Sequence, residues 1–127
     1  GWASTPPEYV TNVPILTLDR ILGDTIKGKR VLILVDIEGG EFSMLQGAFE
    51  TLRNEPKPLW IVEIASTEHS PKGTTMNPNY SETFKLFFNS GYSAVTANSR
   101  MENITQIEVD KVVSGSKKFD VHNFMFR

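Results

Sequence analysis

Two stretches of the chain are apolar on both alternating faces. Val31 to Ile37 and Leu59 to Ile64 each run through Val, Leu, Ile or Trp and carry an acid near the end, Asp36 in the first and Glu63 in the second. Such runs predict strands buried on both sides, as in a parallel sheet covered by helices. Between them the period changes. Phe42, Leu45, Ala48, Phe49 and Leu52 share one helical face, and Pro56 and Pro58 close the segment, so a helix joins two parallel strands by a right-handed crossover. Gly47 interrupts that helix at a cost of about 1 kcal/mol relative to alanine, which points to close packing against the sheet.

The remaining pattern extends this unit on both sides. Thr17 precedes Leu18, Ile21 and Leu22, a cap followed by one or two helical turns that end near Gly23. A polar loop spans 65–79, and Asn79 with Glu82 three residues later resembles a capping box. The helix that follows places Tyr80, Phe84, Phe87 and Phe88 on one face and stops at Gly91. A strand is expected from Tyr92 to Ala97. The stretch from Met101 to Val113 fits neither period well, and Phe119 to Phe126 alternates as a last strand, with Phe124 and Phe126 on one face and Asn123 and Met125 on the other. Residues 1–12, with Pro6 and Pro7, read as an extended lead-in.

Size and charge narrow the function. A chain of 127 residues supports one domain and one core. A formal net charge of −2 with scattered Lys and Arg gives no field for nucleic acid, and no apolar run is long enough to span a bilayer. A soluble protein is expected, cytoplasmic by default. Cysteine is absent and the two histidines, His69 and His122, lie far apart, so thiolate chemistry is excluded and any metal site must use oxygen ligands.

The candidate chemistry collects at one junction. Asp36, Glu38, Gly39, Gly40 and Glu41 lie where the first strand hands over to its helix, and in open α/β sheets ligands bind beyond the carboxyl ends of strands. Asp36, Glu38 and Glu63 are therefore candidate catalytic carboxylates. Asp36 and Glu63 on neighbouring strands could also converge on one ligand, including a divalent metal such as Mg²⁺ or Ca²⁺. Glu41 is equally explained by its place at a helix N-terminus, and the glycines by the turn itself. His122 reads as structural. His69 stands in the polar loop, exposed on the simplest reading, yet placed to meet a substrate if the loop covers it. Asn103-Ile104-Thr105 matches a glycosylation acceptor without a secretory signal to support it.

The run Val35-Asp36-Ile37-Glu38-Gly39-Gly40-Glu41 followed by Met44-Leu45-Gln46-Gly47-Ala48 resembles the hallmark of the FkbM-type methyltransferases, an Asp-x-Glu-Gly-x-Glu turn leading into a helix with Leu-x-Gly-Ala. Thr17-Leu18-Asp19, Glu63, Gly91-Tyr92 and His122-Asn123-Phe124-Met125-Phe126 fall in the same order. The resemblance implies S-adenosylmethionine-dependent methyl transfer to oxygen of a small acceptor such as a sugar or polyketide, with Asp36, Glu41 and His69 on the substrate side. It implies an α/β fold, the C-terminal half of a class I, Rossmann-like methyltransferase sheet. That half would have four to five strands, mostly parallel with an antiparallel last strand, and helices on the faces.

The glycine-rich cofactor turn of such domains is absent, so residues 13–127 are expected to form a partial domain belonging to a larger parent protein, and activity of the isolated chain stays open. The strand at 31–37 would then be an edge, a place for a homo-oligomer to form. The alternative is a non-catalytic binding or assembly module that retains half of a methyltransferase fold.

Overall fold

A computed structural model describes residues 11–68 and 73–127. The chain forms a five-stranded sheet with the order β1-β2-β5-β3-β4, where β1 is Leu32–Val35, β2 Leu59–Glu63, β3 Ala94–Thr96, β4 Asn103–Ile104 and β5 Asn123–Phe126. Helices α1 (Leu18–Leu22), α2 (Glu41–Gln46), α3 (Phe49–Arg53), α4 (Tyr80–Asn89) and α5 (Gln106–Val113), with a 3-10 turn at Gly23–Ile26 after α1, complete it. The expectation of a mostly parallel sheet is corrected. Only β1 and β2 pair in parallel, because β5 runs between β2 and β3 and is antiparallel to both, and β4 adds a further antiparallel pair. β2 and β3 thus share a direction without touching.

Strand alternation sorts the sheet into two faces. One face carries Trp60, Val62, Phe124 and Phe126, all fully buried, together with Val35 and Ala94. The α4 aromatics pack here: Phe84 meets Phe124 edge-on at 4.9 Å between ring centroids, and Phe87 stacks on Phe126 at 3.8 Å. α2 and α5 flank α4 in one layer. The aromatic period of 80–88 is thereby explained as core.

The other face is where the expected burial of Val31 to Ile37 fails. β1 is the terminal strand of the sheet, and Leu32 and Leu34 are 61% and 72% exposed. Half-buried Ile61 and Met125 continue their row, which ends in buried Val95. A strand apolar on both faces is therefore covered on only one by the described residues.

Three local readings are also revised. The segment after Glu41 is two helices, since α2 ends at Gln46 and α3 starts at Phe49. Asn79 precedes α4 without a side-chain cap; its own amide instead donates to the Asn77 side chain at 2.9 Å. The ambiguous stretch resolves into β4 and α5, the latter capped by the Thr105 hydroxyl accepting from the Glu108 amide. Thr17 caps α1 as expected, accepting from the Arg20 amide. Among the described residues no helix is long and apolar enough to cross a membrane.

Candidate active site

The break between α2 and α3 is set by residues far upstream. The Asp19 carboxylate accepts from the amides of Glu50 and Thr51 at 3.0 and 2.8 Å and from the Thr51 hydroxyl at 2.7 Å, while its amide donates to the Gly47 carbonyl at 3.0 Å. Asp19 thus satisfies the free amides that open α3. Gly47 makes the approach possible, and its close contact is with Thr17 rather than with the sheet as expected: a Cβ there would lie 3.0 Å from the Thr17 Cβ and 3.2 Å from its Cα. The Thr17-Leu18-Asp19 segment and the Leu45-Gln46-Gly47-Ala48 segment are two sides of one joint, and that joint fixes the helix leaving the acidic turn. Burial pushes the Asp19 carboxyl upward, but the Thr51 hydroxyl and the Glu50, Thr51 and Phe49 amides outweigh it and hold it below its ordinary value.

At the turn itself the three acids part. Glu41 is 3% exposed and its Oε1 accepts from the Gly39 amide at 3.1 Å, fastening the turn to the first residue of α2. Asp36 follows β1 directly and is exposed. Glu38 takes a left-handed backbone, φ 51°, and its Oε2 is shut off from solvent with no hydrogen-bond partner among the described residues.

Register brings Asp36 to Glu63. Val35 pairs with Val62 as the last pair of β1 with β2, and Glu63, the next residue of β2, pairs with Asn123 of β5, so continuing the register one step past β1 puts Asp36 level with Glu63. By alternation these three share the face that carries Leu34, Ile61 and Met125. The row Asp36, Glu63, Asn123 thus joins the residue just past β1 to a paired position of β2 and β5, at the carboxyl ends of β1 and β2, the location from which α/β sheets present ligand-binding groups.

A further pair stands at this end. The His122 carbonyl accepts from the Ile64 amide at 2.7 Å, and His122 Nε2 lies 3.7 Å from Glu68 Oε1. The Glu68 carboxyl is held below its ordinary value first by its own backbone amide, against an opposing effect of burial, and then by His122, the Thr67 hydroxyl and Lys118. Asn123, Glu68 and His122 were not singled out as site residues from the sequence, because their position depends on β5 lying next to β2. His69 lies outside the described residues.

No cluster of three or more His, Cys, Asp or Glu that could hold a metal ion occurs among the described residues, so Asp36 and Glu63 form only a two-carboxylate set for ions that take six or more oxygens. The one Gly-Gly turn does not fit a cofactor cradle either. Its Gly39 amide is taken by Glu41 and its Gly40 amide by the Ile37 carbonyl at 3.3 Å, which leaves neither aimed outward.

Comparison with known proteins gives the context for this geometry. No curated protein and no solved structure matches the chain. A family model of the methyltransferase FkbM domain matches residues 3–94, a span that holds the acidic turn, the Asp19 joint and Glu63 but ends before β5. The match covers most of the chain and points to methyl transfer as its chemistry. The chain belongs to the FkbM methyltransferase domain family.

Proposed function

We propose that this chain is the acceptor side of an S-adenosylmethionine-dependent O-methyltransferase, acting on a hydroxyl of a small molecule such as a sugar or polyketide. The observation that carries the reading is the row Asp36, Glu63, Asn123 at the strand ends of a methyltransferase-family domain. When bound, S-adenosylmethionine supplies an electrophilic methyl group. The residues here hold the other reactant. A carboxylate and an amide in one row can orient a hydroxyl by accepting and donating hydrogen bonds, and Asp36 receives its proton as the oxygen becomes alkylated. Orientation accounts for most of the rate in such a transfer, and proton acceptance adds to it.

The described residues offer no cradle for the cofactor, so we assign that side to sequence outside these 127 residues. Calorimetry with S-adenosylhomocysteine tests this directly. Binding is expected to a version extended upstream and not to this chain alone. An extended protein with a glycine-rich turn that still fails to bind would sink the reading, and failure without such a turn would favour the assembly module.

The outer edge of β1 belongs to the same proposal. Without the cofactor side, its backbone groups and the exposed Leu32 and Leu34 are open to another strand, and we assign that place to a second copy of the chain. Light scattering at high concentration should report a dimer or larger species, reduced to monomer by Leu34→Lys. A clean monomer for the unsubstituted chain would refute the self-association.

A further inference from the structure

β1 and its flanks read the same from either end. Arg30-Val31-Leu32-Ile33-Leu34-Val35-Asp36 runs valine, leucine, isoleucine, leucine, valine in both directions, with a cation before it and an acid after it. This strand is also the open edge of the sheet. The Val31 carbonyl accepts from the Leu59 amide at 2.9 Å, and backbone groups alternate sides along a strand, so the amides and carbonyls of Leu32 and Leu34 point away from β2. The Leu32 and Leu34 side chains stand in solvent. Arg30 and Asp36 are exposed as well, and neither forms an ion pair among the described residues.

Such a strand is complementary to itself when two copies run antiparallel. A two-fold contact sets residue i against j and j against i. Only pairings of even-numbered with even-numbered residues join the outward backbone groups and keep Leu32 and Leu34 on one face of the joined sheet. Centred on Ile33, that pairing opposes Leu32 to the partner's Leu34, Val31 to the partner's Val35 and, one step beyond, Arg30 to the partner's Asp36. Centring it on Leu34 would oppose Leu32 to the partner's Asp36, and centring it on Leu32 would oppose Arg30 to the partner's Leu34. In-register parallel pairing would place like charges side by side at both ends, which is unfavourable.

We propose that this chain forms a two-fold dimer in which β1 pairs antiparallel with β1 of a second copy about Ile33, each Arg30 meeting the partner's Asp36. This rests on the self-association proposed above and gives it a direction and a register. Apolar pairs in the middle and opposite charges at both ends each favour the contact. The partner's Arg30 thereby extends the row Asp36, Glu63, Asn123 by one strand, so the candidate site of one copy gains a cation from the other.

Exchanging the charges tests the register, with the dimer dissociation constant of the 127-residue chain read by sedimentation and folding checked by a cooperative melt. Arg30→Asp and Asp36→Arg each oppose like charges twice per dimer, and each should weaken association by about tenfold. Mixing these two variants opposes unlike charges at both ends again, so the mixture should associate within about threefold of the parent, as should the double substitution. Single variants that dimerise as tightly as the parent would overturn the register while leaving the edge in use, and a mixture no tighter than its components would do the same. A parent chain that stays monomeric at high concentration would remove the self-association itself, and this pairing with it.

Discussion

Asp19→Ala is expected to destabilise the chain by about 2–3 kcal/mol, read as a lower midpoint in urea at an unchanged slope. The carboxylate accepts three hydrogen bonds, from two amides that begin α3 and from the Thr51 hydroxyl. Losing a helix cap alone costs about 1 kcal/mol. Here Thr51 is also buried, so its hydroxyl would lose its charged partner without gaining water. The effect carries a pH signature. The Asp19 carboxyl titrates below its ordinary value of 3.8 in the folded chain, so its stabilisation is fully present above that value and is lost as pH falls through the lower folded one. Parent and Asp19→Asn should therefore differ at pH 7 and converge only as pH falls below 3.8 and through the lower folded value. A gap that stays constant across this range would show that the hydrogen bonds do not depend on the charge.

The same joint shows what a linear reading can and cannot reach. The periodicity at Phe42 to Leu52 marks a helical face correctly, but it says nothing of a chain segment thirty residues upstream pressing against Gly47. The unusual glycine was the only local sign of that approach, and it did not reveal that the helix breaks. Likewise, the apolar run ending at Asp36 reports residues suited to burial without naming what covers them. In the described structure only one face of β1 is covered, so Leu32 and Leu34 stand in solvent.

The candidate site divides along similar lines. Asp36 and Glu63 were visible because each acid closes an apolar run, and parallel pairing of consecutive strands follows from the helix between them. Asn123 was not, since its place beside Glu63 requires β5 to insert between β2 and β3. The alternation of Phe119 to Phe126 separates two faces, and it is silent on which strand they pair with. The positive φ of Glu38 was hidden for another reason. With Gly39 and Gly40 adjacent, sequence reasoning assigns the left-handed positions to the glycines, whereas the turn uses Glu38 and Gly39.

The strongest functional consequence concerns Asp36. Asp36→Asn keeps size and polarity but cannot accept a proton, and in the upstream-extended enzyme it should lower the methyl-transfer rate by about 10²–10⁴-fold, equivalent to about 3–5 kcal/mol of transition-state stabilisation. Because Asp36 is exposed, the melting temperature should stay within about 1–2 °C of the parent, and S-adenosylhomocysteine affinity should hold. The loss should then fall on kcat more than on KM, as expected of an interaction made while the proton moves. A second substitution sharpens the assignment. If Glu63 orients the same hydroxyl, Glu63→Gln on top of Asp36→Asn should cost less than it does in the parent, since residues acting as a unit are not additive. Fully additive losses would mean that the two carboxylates serve different groups, and turnover within threefold of the parent for Asp36→Asn would remove the proton-accepting role from the row altogether.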